Sequence, residues 1–279
     1  MLSVFIGFVL ECIFGKPAWV SGPGKWLDIF IARSKNYFTR HFKDSKPTGV
    51  FFSIFVLVCV YFCARFLALL GLGSVLIYLA ISLKSAKDRL ESSDFQAIDT
   101  DPEQALRVKI EFIASNTTVD VVGILFYAFL GGPALVWVYK AANASAGAFA
   151  AKGSYYKGMN WFGAGLASFL NYFPARICVS LVWLASRFCR LDAKSSIKTA
   201  WNEGVQADAI SEAAFAGALG VQLGGLDYND GLAKHKPYVG RQTAPLSSAH
   251  LQNAVKLMYV SAIIFLAALI IINYFFNVL

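Results

Sequence analysis

The sequence predicts an all-α fold: a polytopic integral membrane helical bundle with about five to seven membrane segments, some broken or re-entrant, and cytoplasmic amphipathic helices. The first observation is composition, because 57% of the 279 residues are hydrophobic and 15% are charged, whereas soluble domains carry about 25% charged residues. The second is the mean hydropathy of +0.55. The third is residues 258–279, which are uncharged and exceed the roughly 20 residues that a transmembrane helix needs.

Two apolar segments lie in the first third of the chain. Leu2–Phe14 is shorter than the roughly 20 residues of a span, so it is either a tilted span that continues into the next residues or a half-helix. Residues 49–83 are long enough for two spans joined near Gly71 and Gly73, with Arg65 interrupting the first.

Two further apolar segments contain residues that break helices. Residues 119–139 contain Gly131-Gly132-Pro133, and residues 161–188 contain Pro174 and Arg176. Proline removes a backbone donor and glycine favours non-helical conformations. Each segment is therefore predicted to be interrupted, and each is either a crossing or a re-entrant hairpin.

We expect a single membrane domain over residues 1–279. Three more polar segments connect its apolar parts. Residues 15–47 contain seven Lys and Arg against two Asp, which predicts a cytoplasmic loop, with an amphipathic interfacial helix over residues 26–38. Residues 84–115 form a polar loop with two helical pieces around a turn at 99–102. Residues 190–256 form an extramembrane helical region, in which residues 211–225 are a small-residue helix ending in two glycines.

Several function classes are disfavoured by the residue pattern. The net charge of +8 suits membrane topology and anionic headgroups, and no interleaved basic and aromatic surface indicates a nucleic acid partner. The Met-Leu-Ser start lacks a basic n-region, so we expect no removable signal peptide. The five cysteines and three histidines show no metal-ligand spacing.

Polar side chains occur inside membrane-like sequence between residues 111 and 176. An ionisable group at bilayer depth costs roughly 2.5–3.5 kcal/mol unless it faces a cavity or a partner, which makes such groups functional candidates. The polar residues of this stretch are Asn116, Asp120, Lys140, Asn143, Asn171 and Arg176.

Short motifs follow one another in a defined order along most of the chain. They are Glu11-x-x-Phe14-Gly15-Lys16-Pro17-x-Trp19 with Pro23, Lys84-Ser85, Asp99-Thr100, Ile110-Glu111 through Asn116, Leu125-Phe126, Gly131-Gly132-Pro133, Tyr139-Lys140-Ala141-x-Asn143, Asn171 with Pro174-Ala175-Arg176, and residues 212–225. This series resembles the CobD/CbiB family of cobalamin biosynthesis, which are integral membrane adenosylcobinamide-phosphate synthases. AmpE-like inner-membrane proteins are related and share the fold.

The resemblance implies an ATP- and Mg²⁺-dependent ligase that joins adenosylcobyric acid to aminopropanol phosphate, or a related amino alcohol, through an amide. The implied partners are this corrinoid, the amino-alcohol phosphate, the lipid bilayer, and a second copy or another membrane protein. The implied location is a bacterial or archaeal inner membrane, with the functional loops in the cytoplasm.

The sequence departs from the family in one direction, because acidic residues are replaced. Around the central asparagine, Ser115 and Val119 stand where the family has Glu and Asp. Other replaced positions hold Ala146, Ala167 and Ser168, and Gly165 stands where the family has Arg. The alternative function is therefore a catalytically inactive CobD/AmpE-like regulatory or binding protein.

The resemblance assigns roles to the polar residues that remain. Glu111 is the candidate catalytic residue or metal ligand, and no metal-binding set is predicted beyond it. The candidate substrate- and phosphate-binding residues are Lys84, Asn116, Lys140, Asn143, Asn171 and Arg176. The alternative roles are helix capping or interhelical bonding for the asparagines, interfacial anchoring for the cations, and a helix-surface charge for Glu111.

Overall fold

The computed structural model describes residues 2–15, 22–90, 102–150, 156–204, 207–229, 232–243 and 245–278. Its elements in chain order are α1 (Leu2–Phe14), α2 (Gly22–His41), α3 (Lys46–Leu67), a π-helical turn (Ala68–Leu72), α4 (Gly73–Ala80), α5 (Lys84–Leu90), α6 (Pro102–Asn116), a π-helical segment (Thr117–Gly123), α7 (Ile124–Ala150), α8 (Lys157–Phe188), α9 (Ala193–Glu203), α10 (Ala207–Leu219), β1 (Leu223–Asn229), β2 (Leu232–Val239) and α11 (Ser248–Val278). The predicted helical class is confirmed, with one β-hairpin added.

Four helical runs in the described residues are long and apolar enough to cross a membrane, which confirms a polytopic membrane protein. They are Lys46–Leu90, Pro102–Phe149, Lys157–Phe188 and Ser248–Phe276. Two shorter apolar helices, Leu2–Phe14 and Ala209–Leu219, accompany them. The predicted turn at 99–102 lies largely outside the described residues, which resume at Pro102.

The chain forms two compact units that alternate along the sequence. The first unit comprises Met1–Ile81 and Phe126–Leu170, and the second comprises Ser82–Leu125 and Asn171–Leu279.

In the first unit, α2 is the amphipathic helix that the sequence predicts, although it extends beyond residues 26–38. Leu27, Ile31, Lys35 and Phe38 are buried, and their spacing of three or four residues places them on one helical face. Trp26 lies on the exposed side with 72% of its surface accessible. This pattern confirms an amphipathic helix.

The predicted pair of spans in residues 49–83 is wrong for its second member. Gly71 has φ 83° inside the π-helical turn, and α4 after it has 8 residues before Ile81 becomes extended. A helix of 8 residues is too short to span a bilayer core about 30 Å thick. Instead, α4 packs closely on α1, where a Cβ on Gly7 would lie 2.9 Å from the backbone nitrogen of Tyr78.

The predicted break at Gly131-Gly132-Pro133 is confirmed in α7. Gly131 has φ −148° and ψ 17°, and Gly132 has φ 66° and ψ −160°. A positive φ is readily adopted by glycine, so the kink lies where the sequence places it. Beyond the kink, Trp137 donates from Nε1 to the Leu76 carbonyl at 3.1 Å.

The predicted interruption at Pro174 and Arg176 is wrong, because α8 runs as one helix from Lys157 to Phe188. Proline has no N–H and therefore cannot donate to the carbonyl four residues earlier, which is that of Leu170. The Tyr127 hydroxyl donates to this carbonyl at 2.8 Å. An outside donor thus replaces the missing backbone bond, as helices in a bilayer require.

In the second unit, the predicted helix over residues 211–225 is wrong at its end. Helix α10 stops at Leu219, and residues 223–225 begin strand β1, which pairs antiparallel with β2. Gly224 and Gly225 have φ values of 92° and 95°, and the register shifts between Leu223 and Gly225. The two glycines therefore form a bulge that bends the strand.

Replacing Tyr127 with Phe is expected to lower the free energy of unfolding by about 1 kcal/mol, because the Leu170 carbonyl loses its hydroxyl donor. The loss should be smaller in a Pro174→Ala background, since an alanine at 174 restores the backbone N–H. Reversible unfolding in mixed detergent–SDS micelles measures this double-mutant cycle. Equal losses in both backgrounds would contradict the assignment.

Candidate functional site

The second unit holds Glu111, the predicted catalytic residue, in a buried position on α6. Its Oε1 accepts a hydrogen bond from the Gly224 backbone N–H at 2.7 Å. Its Oε2 lies 3.3 Å from Nζ of Lys236, which is partly exposed on β2. Both carboxylate oxygens therefore hold the β-hairpin against α6, and the direct contribution of Glu111 to catalysis stays a prediction.

Asn116 lies five residues further along the same unit and is also buried. Its Nδ2 donates to the Ser82 carbonyl at 2.7 Å and contacts the Met258 sulfur at 3.7 Å. The Ser82 N–H donates to the Asp120 carbonyl at 3.2 Å. These bonds fix the extended chain that leads directly into α5, whose first residue is the predicted phosphate ligand Lys84.

Asn171 and Arg176 lie on α8 in the same unit but in different surroundings. Asn171 is buried, with 5% of its surface accessible. Arg176 donates from Nη1 to the Tyr172 carbonyl at 3.1 Å, and its guanidinium lies 3.4 Å from the centre of the Tyr172 ring. Tyr172 is exposed. These contacts within one helix favour interfacial anchoring for Arg176 over substrate binding.

The first unit holds the other two predicted residues, Lys140 and Asn143, on α7. Lys140 donates from Nζ to the Ala80 carbonyl at 3.1 Å, and Asn143 donates from Nδ2 to the Tyr139 carbonyl at 3.0 Å. Partial burial raises the pKa of Asp28 on α2 above its ordinary value, while the Lys140 charge opposes that rise. The Lys140 ammonium is therefore within electrostatic range of the Asp28 carboxylate.

A cavity of about 510 Å³ opens beside Asp28 in the first unit. Asp28, Lys35 and Asn36 line one side, and the small residues Ala144, Gly147 and Ala148 line the other. Lys35 donates to the Ala148 carbonyl. Ala144, Gly147 and Ala148 thus leave space directly against the backbone of α7, where a ligand can approach closely.

Two residues of these sites were missed in the sequence. Lys236 lies in a hairpin whose strands carry no clear alternating pattern, so nothing in the sequence indicated that it would meet Glu111. Lys35 belongs to the basic loop, where the charge bias suggested topology alone. Its spacing on the apolar face of α2 was the available signal.

The described part of the chain contains no preformed set of protein ligands for Mg²⁺. No group of three or more His, Cys, Asp and Glu there could hold a metal ion, and both oxygens of Glu111 already have partners. Five acids, Glu91, Asp94, Asp99, Asp101 and Asp230, lie outside the described residues. The donor set described does not by itself fit a protein-bound Mg²⁺.

Comparison with known proteins decides the family. Residues 92–258 match the family described as CobD/Cbib protein. The chain belongs to the CobD/CbiB family. It is 30% identical to cobalamin biosynthesis protein CobD of Clostridium perfringens, over 86% of this chain and 87% of that protein. No solved structure matches the chain.

Two further relatives show how far the family similarity extends. CobD of Streptococcus sanguinis is 27% identical over 100% of this chain and 98% of its own length. CbiB of Salmonella typhimurium is 33% identical over 66% of this chain and 60% of its own length. The CobD/CbiB family match of residues 92–258 includes Glu111, Asn116 and Lys236. The resemblance seen in the motifs is thereby confirmed, and the chain is a membrane protein of this family.

Replacing Glu111 with Ala is expected to lower the free energy of unfolding by about 2 kcal/mol, because the buried Gly224 N–H loses its acceptor. Glu111→Gln keeps an acceptor and loses only the ion pair with the partly exposed Lys236, so it should cost less than about 1 kcal/mol. Thermal unfolding of the purified protein in detergent measures both.

The matched control is Glu103→Ala on the same helix, where the half-buried Glu103 pairs with Arg107 at 3.5 Å and accepts from Gln242 at 3.1 Å. That replacement should change the free energy of unfolding by less than about 0.5 kcal/mol. Similar effects for the alanine variants at 103 and 111 would show that the carboxylate of Glu111 does not hold the hairpin.

Proposed function

We propose that this protein acts in cobalamin biosynthesis as a synthase that joins adenosylcobyric acid to aminopropanol phosphate, or a related amino alcohol, through an amide bond. The observation that carries the proposal is the match along the whole chain to relatives named cobalamin biosynthesis protein CobD. Those names support the biosynthetic function, and none of the relatives compared favours the inactive alternative.

The reaction needs an activated carboxyl group. A carboxylate of the corrinoid attacks the γ-phosphorus of ATP and releases ADP, giving an acyl phosphate. The amine of the amino alcohol then attacks the acyl carbon, the C–N bond forms, phosphate leaves and the amine loses a proton. A protein that promotes these steps must hold several anions close together, which requires cations and hydrogen-bond donors.

The residues suited to that task differ between the units. In the first unit, Lys140 supplies an ammonium that acts electrostatically on Asp28, and Asp28 lines the cavity. In the second unit, Lys84 begins α5 directly after the chain that Asn116 fixes. Mg²⁺ belongs to the proposal as an ion that enters with ATP, because such ions are usually held by one or two carboxylates together with the phosphates of the substrate.

Direct assay tests the proposed activity. The protein in nanodiscs, given ATP, Mg²⁺, adenosylcobyric acid and aminopropanol phosphate, should yield adenosylcobinamide phosphate detectable by mass spectrometry. Lys140→Gln should lower the rate by about tenfold or more, since one charge-assisted contact to a phosphate contributes about 1.5–3 kcal/mol. Lys46→Gln, at an exposed lysine that stacks over Trp161, is the matched control and should leave the rate unchanged.

Absence of product from the folded protein, together with no binding of ATP in the presence of Mg²⁺, would exclude the synthase. A partner recovered in equal amounts from the native membrane would then favour the regulatory alternative. If Lys140→Gln and Lys46→Gln lowered the rate equally, the proposed activity would stand, but Lys140 would not be part of the site.

We also propose that the protein lies in the inner membrane with the loop containing α2 in the cytoplasm. The basic excess of residues 15–47 supports this orientation. A cysteine introduced at the exposed Lys43, with the native cysteines removed, should react with an impermeant maleimide in inverted vesicles and stay unreacted in intact cells.

A variant that keeps only Cys178, which is buried, controls for background labelling and should react on neither side. Labelling of Lys43→Cys in intact cells would show that the loop faces the outside of the cell, opposite to the proposed orientation.

A further inference from the structure

A polar cavity of about 460 Å³ lies in the second unit, away from Glu111 and the hairpin contact. It is formed by the end of α8, by α9 and α10, and by the chain after β2. Three cations line it: Arg190, Lys198 and Arg241. The hydroxyl-bearing residues in its lining are Ser195, Thr199 and Thr243. These six side chains lie outside the motifs that indicated the family, whereas residues 216–220 of the cavity wall belong to the motif at 212–225.

Both acids that line this cavity accept hydrogen bonds from backbone N–H groups. Asp192 caps α9, and its Oδ1 accepts from the Ser195 N–H at 2.9 Å. Glu203 accepts from the Gly240 N–H at 2.6 Å through Oε2. Within the described part of the chain, the three cations make no ion pair. Three cations and two carboxylates line the cavity, so its lining carries a net charge of +1 together with hydroxyl groups.

Arg190 holds a backbone conformation that a side chain rarely adopts. Its φ of 58° is the only positive value at a non-glycine residue in the described ranges. The Leu191 N–H donates to the Ser186 carbonyl at 2.8 Å, and the Arg190 N–H donates to the Arg187 carbonyl at 3.4 Å. These two bonds form a Schellman motif, whose left-handed position is usually glycine. An arginine at such a position suggests that its side chain serves a purpose.

The walls of the cavity are held in place by close backbone contacts. A Cβ on Gly217 of α10 would lie 2.5 Å from the Ser195 carbonyl oxygen of α9, so only glycine permits this approach. The Thr243 N–H and hydroxyl both donate to the Gly220 carbonyl, at 3.0 and 2.7 Å. These contacts fix the segment that carries Arg241, and the cavity is preorganised for a ligand.

We propose that this cavity binds a phosphate-bearing anion through Arg190, Lys198 and Arg241, a site separate from the proposed synthase residues and independent of that activity. Guanidinium groups bind phosphate through paired hydrogen bonds, and hydroxyls and an ammonium complete the set. Because Arg190 directly follows the membrane-spanning helix Lys157–Phe188, the phosphate belongs either to a soluble phosphate ester or to the headgroup of an anionic lipid.

Thermal unfolding in phosphatidylcholine nanodiscs, titrated with inorganic pyrophosphate against potassium chloride of equal ionic strength, tests the soluble source. Nanodiscs that contain phosphatidylglycerol, without pyrophosphate, test the lipid source. At least one of the two should raise the unfolding temperature. Arg190→Gln and Arg241→Gln should each weaken the pyrophosphate or lipid effect by about tenfold.

Two variants separate binding from folding. Arg187→Gln removes a neighbouring arginine that stacks on Trp183 and lies outside the cavity lining, so it should bind as the unmodified protein does. Arg190→Gly suits a positive φ, so the unfolding temperature without ligand should not fall while binding weakens about tenfold. No response to either phosphate source, or equal weakening by Arg187→Gln and Arg190→Gln, would overturn the proposal.

Discussion

The structure depends on supplying donors to backbone carbonyls where its membrane helices bend or end. The bilayer core offers no water to these groups, so each needs a partner within the protein. Tyr127 donates to Leu170 at 2.8 Å, Lys140 to Ala80 at 3.1 Å, and Asn116 to Ser82 at 2.7 Å. Polar side chains inside apolar sequence therefore stabilise the kinked and shortened helices that shape each unit.

In the contact between Glu111 and the hairpin, the roles are reversed: the backbone donates the hydrogen bond and the side chain accepts it. At Gly224 the strand turns with φ 92°, and its buried N–H points to a carboxylate instead of a cross-strand carbonyl. A Cβ at this position would lie 2.2 Å from the Pro237 carbonyl oxygen, so the bulge excludes every other residue. The double glycine and the buried acid thus form one structural unit, although more than a hundred residues separate them in the chain.

The sequence predicted those features that depend on local chemistry. The glycine kink at 131–132, the amphipathic face of α2 and the polar positions of α7 follow from residue type and helical spacing. It failed where distant residues decide the outcome. Pro174 does not break α8, because Tyr127 lies nearby in space. The hairpin was missed because its two glycines read as a helix end, and its stabilising partners lie on other elements.

The same distinction between donors and acceptors explains the structural roles of Asn116, Lys140 and Glu111. Amides and ammonium groups can satisfy a freed carbonyl, whereas a carboxylate has no hydrogen to donate. Asn116 and Lys140 therefore serve the fold whatever their part in chemistry. Glu111 lies where an acceptor is required, because it faces an N–H and an ammonium. Asn116, Lys140 and Glu111 thus each have a structural role, and the assay of product formation tests whether any of them also acts in catalysis.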